Sequence, residues 1–156
     1  MIYIVDIDGT IADPTHRLHF VDATDLEKFT PLSDGSKDWD SFFAETHNDK
    51  PIFEVITVIR ALAKAGHTIV YSTGRPERTR CATQDWLTKY HLPDGSLFMR
   101  HDKDHREDNV VKAETLKLIQ EIVPGVIGGA FEDRQQVVKM YRERGIKVFQ
   151  VAPGNF

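Results

Sequence analysis

Cys81 is the only cysteine in the chain, so no disulfide can close within it, and this usage predicts a reducing, cytoplasmic setting. Cys81 itself is expected to be a packing residue. No apolar run approaches the roughly 20 residues that a membrane-spanning helix needs. No basic, apolar and small-residue leader pattern stands at the start, so no membrane partner is expected. Nor is there an excess of positive charge. A formal net charge of -4 argues against a binder that meets nucleic acid with its whole surface, though local basic clusters can still steer a phosphate-bearing partner. There is no internal repeat, no low-complexity tract and no Gly-x-x-x-x-Gly-Lys-Ser/Thr loop, so this sequence carries no phosphate-loop kinase half. What remains, at 40% hydrophobic and 28% charged residues, predicts one globular domain over 1–156 with room for a real core.

The richest stretch is Ile2-Tyr3-Ile4-Val5-Asp6-Ile7-Asp8-Gly9-Thr10. It reads as a buried strand that ends in two carboxylates one residue apart. Residues two apart on a strand share a side, so Asp6 and Asp8 can converge where the chain leaves the sheet. Such a pair suits Mg²⁺, which is bound through one or two carboxylates and the substrate's own phosphate. It also suits the capping of a turn, and only partners elsewhere in the chain decide between the two.

Residues 13–50 then form an insertion far longer than an ordinary strand-to-helix loop of about 2–6 residues, which predicts a cap with structure of its own. Trp39, Phe42 and Phe43 have a short helical look and are expected to pack one face down, with base stacking as the alternative. From Pro51 the spacing of Ile52, Val55, Ile56, Ile59, Leu62 and Ala63 predicts an amphipathic helix that stops at Gly66. A strand over 67–72 follows and ends in Thr73-Gly74-Arg75, which offers donors to an anion or forms a simple turn before Pro76. Further expected elements are a helix over 77–90, a strand over 96–100, and a helix from Asp108 with Val111, Leu118 and Ile122 on its inward side. After these come a strand over 126–131 running into Glu132-Asp133, a helix that stops at Gly145, and a strand over 146–151. Lys112, in the first turns of its helix, reaches an anion at the sheet edge or is simply exposed. The alternation predicts an α/β fold: a Rossmann-like parallel sheet with helices on both faces and a small cap insertion after the first strand. Ligands of such sheets bind beyond the carboxyl ends of the strands, where every polar group named above falls.

Taken in order, Asp6-Ile7-Asp8-Gly9-Thr10, Thr73, Lys112 and Glu132-Asp133 resemble the motifs of the haloacid dehalogenase superfamily of phosphohydrolases. The chain is similar, more narrowly, to the 3'-phosphatase domain of bacteriophage polynucleotide kinases. That likeness is carried by Thr73-Gly74-Arg75, Asp108-Asn109-Val110-Val111-Lys112, Glu132 to Val138, and the ending Gln150 to Phe156. Two departures stand out: Glu132 occupies a position where that family more often has Asp, and 13–50 is longer than the family's segment.

The resemblance implies Asp6 as nucleophile, Asp8 as acid and base, and Mg²⁺ held by Asp6, the backbone carbonyl of Asp8, and Asp133, with Glu132 in an outer position. It implies phosphate binding by Thr73, Gly74 and Lys112, with Asp108 orienting Lys112. Arg17, which follows the first motif as an arginine does in that family, and Arg75 are implied as substrate contacts. The implied partner is a 3'-phosphate at a nucleic-acid end, with mononucleotides or other small phosphate esters as the alternative substrates.

Overall fold

Four buried apolar residues make the first strand, β1 (Ile2–Val5), which alternates faithfully: Ile2 and Ile4 enter one core cluster, Tyr3 and Val5 the other. The computed structural model describes residues 1–21 and 37–154. The middle of the insertion, 22–36, and the final Asn155 and Phe156 lie outside the described residues.

After β1 come β2 (Ala12–Asp13), a 3-10 turn (Thr15–Phe20), helix α1 (Trp39–Ala44), a second 3-10 turn (Glu45–Asn48) and β3 (Lys50–Pro51), which pairs antiparallel with β2. This small ribbon closes the described part of the insertion at its base. The chain continues through α2 (Phe53–Lys64), β4 (Thr68–Pro76), α3 (Arg80–Lys89), β5 (Gly95–Arg100), α4 (Asp108–Ile122), β6 (Ile127–Arg134), α5 (Gln135–Glu143) and β7 (Val148–Gly154). The sheet is parallel, in the order β5-β4-β1-β6-β7. Strand order reverses at β1, which is where a ligand crevice opens in this architecture. Ile56 and Ile59 of α2 and Trp86 and Leu87 of α3 cover one face; Leu116 and Ile119 of α4 and Val137, Met140 and Tyr141 of α5 cover the other. The expected parallel sheet with helices on both faces is thus the observed one.

Three strands run past their expected ends, and in β4 and β6 the extra residues are the ones with chemistry. The pairing of β4 with β5 slips between Ser72 and Pro76, and that of β6 with β7 slips between Glu132 and Arg134. Thr73, Gly74 and Arg75 lie in the first slip and Asp133 in the second. An irregularity of this kind bends a strand and re-aims its side chains.

Two expectations fail. Leu118 and Ile122 are 44% and 60% exposed, because the inward face of α4 is centred on Asp108, Lys112, Leu116 and Ile119. Two of those four are charged, so a search for apolar spacing locks onto the neighbouring stripe. Cys81 is exposed rather than packed; in α3 the buried positions are Thr83, Trp86 and Leu87. In α1, Phe42 is buried whereas Trp39 is 45% exposed, so one aromatic of the three anchors the helix.

Candidate active site

At the carboxyl end of β1 the chain makes a tight turn in which the amide N–H groups of Thr10, Ile11 and Ala12 all donate to the Ile7 carbonyl. Gly9 sits there at φ +82°, and a Cβ built on it would fall 2.2 Å from Asp133 Oδ2. Glycine is therefore required twice over, for its backbone and for the approach of Asp133. Asp6, at the start of the turn, is buried, and its Oδ1 accepts from Lys112 Nζ at 2.7 Å. The same ammonium donates to Glu132 Oε2 at 2.7 Å and lies 3.5 Å from Asp108 Oδ2. The Thr10 hydroxyl donates to Asp6 Oδ2 at 3.2 Å and lies 3.5 Å from Asp133 Oδ1. Glu132 Oε1 accepts the amide N–H groups of Asp133 and Arg134, so both its oxygens are engaged. Asp6, Glu132 and Asp133 each offer an oxygen, all within 4.8 Å of one another.

Asp8 turns the other way. Its carboxylate accepts from Arg75 Nη2 at 2.6 Å, from Arg75 Nε at 3.1 Å and from Arg17 Nη2 at 2.5 Å. Both guanidinium groups are fully buried and both also bond Asp49. Thr73 is buried at the end of β4, where its Oγ accepts the Arg75 amide N–H at 3.2 Å. Gly74 leaves room for Asp108, since a Cβ there would lie 2.8 Å from Asp108 Oδ1. Asp108 is also held by Arg100 Nη2 at 3.0 Å. The ten residues singled out from the sequence thus divide into two adjoining groups, one around Lys112 and one around Asp8.

Their electrostatics differ in sign. Burial, then the neighbouring Glu132 charge, pushes the Asp6 carboxyl up to about 8 against the pull of Lys112. Burial and the Asp6 charge push Asp133 up to about 6. Burial would raise Asp8 as well, but Arg75 and Arg17 overrule it and bring it down to about 2. One group is short of positive charge; the other is saturated with it.

Residues 32–156 match the model of the polynucleotide kinase PNKP phosphatase domain. The chain belongs to that phosphatase family. A protein of Autographa californica nuclear polyhedrosis virus, assigned as a bifunctional polynucleotide kinase/RNA ligase, is 30% identical over 153 residues, covering 95% of this chain and 19% of the relative. Among solved structures, chains of the Pnkp1/Rnl/Hen1 RNA repair complex superpose with TM-scores of 0.72 and 0.73 at 26% and 27% identity. The superpositions cover 99% of this chain and 43% and 46% of those chains. The chain therefore spans less than half the length of these relatives. The class C acid phosphatase of Bacillus anthracis shares the fold, with a TM-score of 0.70 at 14% identity over 98% of this chain and 66% of that one.

In this haloacid dehalogenase-type phosphatase, three oxygen donors with raised carboxyl pKa values fit a hard divalent cation, the class of ion its superfamily uses. Sequence reasoning missed Asp49, which is fully buried against both arginines. Its only signal was Asn48-Asp49-Lys50-Pro51, which reads as punctuation before a helix. It also missed Arg100, which donates to the carbonyls of Gly74, Asp104 and Arg106 and to Asp108, tying the β5–α4 loop to the site.

Proposed function

We propose that this phosphatase domain is a magnesium-dependent phosphomonoesterase that removes 3'-phosphates from DNA or RNA ends through an aspartyl-phosphate intermediate. The observation that carries the reading is the convergence of the Asp6, Glu132 and Asp133 carboxylates at the end of the central strand, with Lys112 bonded to the first two, in a chain of this family. Its support for a polynucleotide end comes from the relatives, assigned to polynucleotide kinase/RNA ligase and RNA repair assemblies.

In this reading Asp6 attacks phosphorus, a bond forms from its carboxylate oxygen, and the bond to the 3' oxygen breaks. Asp8 gives that oxygen a proton, then takes one from the water that hydrolyses the aspartyl-phosphate and restores Asp6. At rest Arg75 and Arg17 hold Asp8 ionised, so it gains its proton only once the incoming phosphate takes its place on those guanidinium groups. Lys112 neutralises charge on the phosphoryl oxygens during transfer, Thr73 donates a hydrogen bond to them, and Asp108 steadies Lys112. Asp6, Asp133 and the Asp8 carbonyl would hold Mg²⁺, with Glu132 behind them; the ion supplies positive charge that lets a phosphate enter among carboxylates.

The test is a substrate panel with magnesium: 3'- and 5'-phosphorylated oligonucleotides, a 3'-mononucleotide and a sugar phosphate. The 3'-phosphorylated oligonucleotide is expected to have the highest kcat/KM, with an advantage that narrows as salt rises, because neighbouring phosphodiesters add salt-sensitive contacts. Equal or better turnover of the mononucleotide or the sugar phosphate across that salt range would replace this reading with a small-molecule phosphatase.

A further inference from the structure

Every nitrogen of the Arg17 and Arg75 guanidinium groups has an acceptor within the protein, and all their bonds of 3.1 Å or less go to Asp8 and Asp49. Arg17 gives Nε and Nη2 to the two oxygens of Asp49, each at 2.7 Å, shares Nη2 with Asp8 and turns Nη1 to the Phe42 carbonyl at 3.4 Å. Its guanidinium carbon lies 4.1 Å from the centre of the Phe42 ring. Arg75 gives Nε to Asp8, splits Nη2 between Asp8 and Asp49, and turns Nη1 to the Thr83 hydroxyl at 3.4 Å. A phosphate gains the short, charge-paired bonds of these arginines by taking the place of one of the two carboxylates.

The two carboxylates are not equally replaceable. Asp8 is on the rim, with a quarter of its side chain exposed, whereas Asp49 has none exposed. Asp49 is also pinned from behind, since its carbonyl accepts the buried Trp86 indole N–H at 2.9 Å and His16 Nε2 lies 2.9 Å from its Oδ1. We infer that Asp49 is a positioning residue: the fixed anchor of a two-arginine clamp whose other partner, Asp8, is exchanged for a phosphate oxygen of the substrate. Resting on the phosphatase reading above, this makes Asp49 the residue that keeps both arginines in place when Asp8 lets go. Without it, two mobile cations would have to be ordered anew by each phosphate. The bidentate grip on Arg17 matters most, because a planar guanidinium held at Nε and Nη2 cannot rotate.

Calorimetric titration of inorganic phosphate, with magnesium present, into wild type and Asp49→Asn tests the anchor directly. Asn keeps the shape and one acceptor oxygen but loses the charge. The phosphate Kd is expected to rise about 10- to 100-fold, the range for losing hydrogen bonds to a charged group. KM for p-nitrophenyl phosphate should rise in step. A variant that melts at a lower temperature yet binds phosphate as wild type does would overturn the proposal, since a purely structural role predicts that result.

Should Asp49→Asn not fold, the guanidinium Nε–H resonances of the wild-type protein decide the matter. Adding phosphate should shift the Arg75 signal, whose partner is Asp8, and leave that of Arg17, whose partner is Asp49, in place and slow to exchange. Movement of the Arg17 signal, or none at Arg75, would overturn the proposal. Phosphate binding requires no polynucleotide turnover, so a failed substrate panel leaves this test intact.

Discussion

Replacing Lys112 with methionine keeps most of the apolar stem and removes the charge. The missing ammonium lay 2.7 Å from Asp6 Oδ1, 2.7 Å from Glu132 Oε2 and 3.5 Å from Asp108 Oδ2, all on buried residues. Removing one partner of a buried ion pair costs about 3–5 kcal/mol, because the remaining charge is left uncompensated. Protons limit the damage. Burial raises both Asp6 and Glu132 while Lys112 pulls them down, so without it both rise further. A carboxyl whose folded pKa exceeds its unfolded one stabilises fully below the unfolded value and loses that contribution as pH rises through the folded value. Lys112→Met is therefore expected to lose about 3–5 kcal/mol near pH 8 and less near pH 5, read by equilibrium urea unfolding of metal-free protein. With saturating magnesium its kcat should fall ~10²–10³-fold, the cost of removing an oxyanion-type donor. A Lys112→Met protein that unfolds at the wild-type urea concentration at both pH values, or that turns over at the wild-type rate, would refute the reasoning.

Asp6→Asn keeps the shape of the nucleophile and removes its chemistry, so phosphatase activity should drop to background while circular dichroism and the melting curve remain those of a folded protein; full turnover would exclude Asp6. Gly9→Ala places a methyl group 2.2 Å from Asp133 Oδ2 at φ +82°. It is expected to cost about 1–2 kcal/mol from the left-handed backbone alone. Displacing Asp133 should lower activity by up to ~10²-fold, and an unchanged kcat would show that Asp133 is free to move. Stripped of divalent metal, the protein should lose stability as pH rises from about 4 towards 8, since Asp6 and Asp133 are raised to about 8 and about 6 from 3.8. Magnesium should then raise the melting temperature more at the alkaline end of that window, and a shift independent of pH would contradict the assignment. Asp8→Asn should slow turnover ~10²–10⁴-fold, the usual worth of an acid-base group, and a loss under about tenfold would point elsewhere.

The sheet and its ligand end were legible because the apolar runs of β1, β4 and β6 stop abruptly at polar residues, with Asp6, Thr73 and Asp133 at or just past those stops and Lys112 near the start of α4. The pattern failed where tertiary contact overrode local spacing. Lys112 is buried because three carboxylates meet it, one on its own helix, one just past β1 and one in β6. A rule that sends lysine outward therefore turns α4 the wrong way. Asp49 was invisible for a related reason: its partners, Arg17 and Arg75, are 32 and 26 residues away, and nothing in Asn48-Asp49-Lys50-Pro51 foretells them. The slips in β4 and β6 were unreadable too, since a bulge depends on the strand next door and leaves no period of its own.

The exposed Cys81 is the chain's one thiol, at the start of α3. A maleimide dye therefore attaches at one site on the natural sequence, with no cysteine to remove and none to add. The site follows closely on Arg78, whose guanidinium reaches Asp40 of α1 at 2.7 Å, so the dye would report from beside the seam between α1 and the sheet-covering helices. The same thiol sets a handling rule. Kept in air without reductant, two molecules can join through it, and a band at twice the mass on a non-reducing gel would be chemistry of storage rather than assembly.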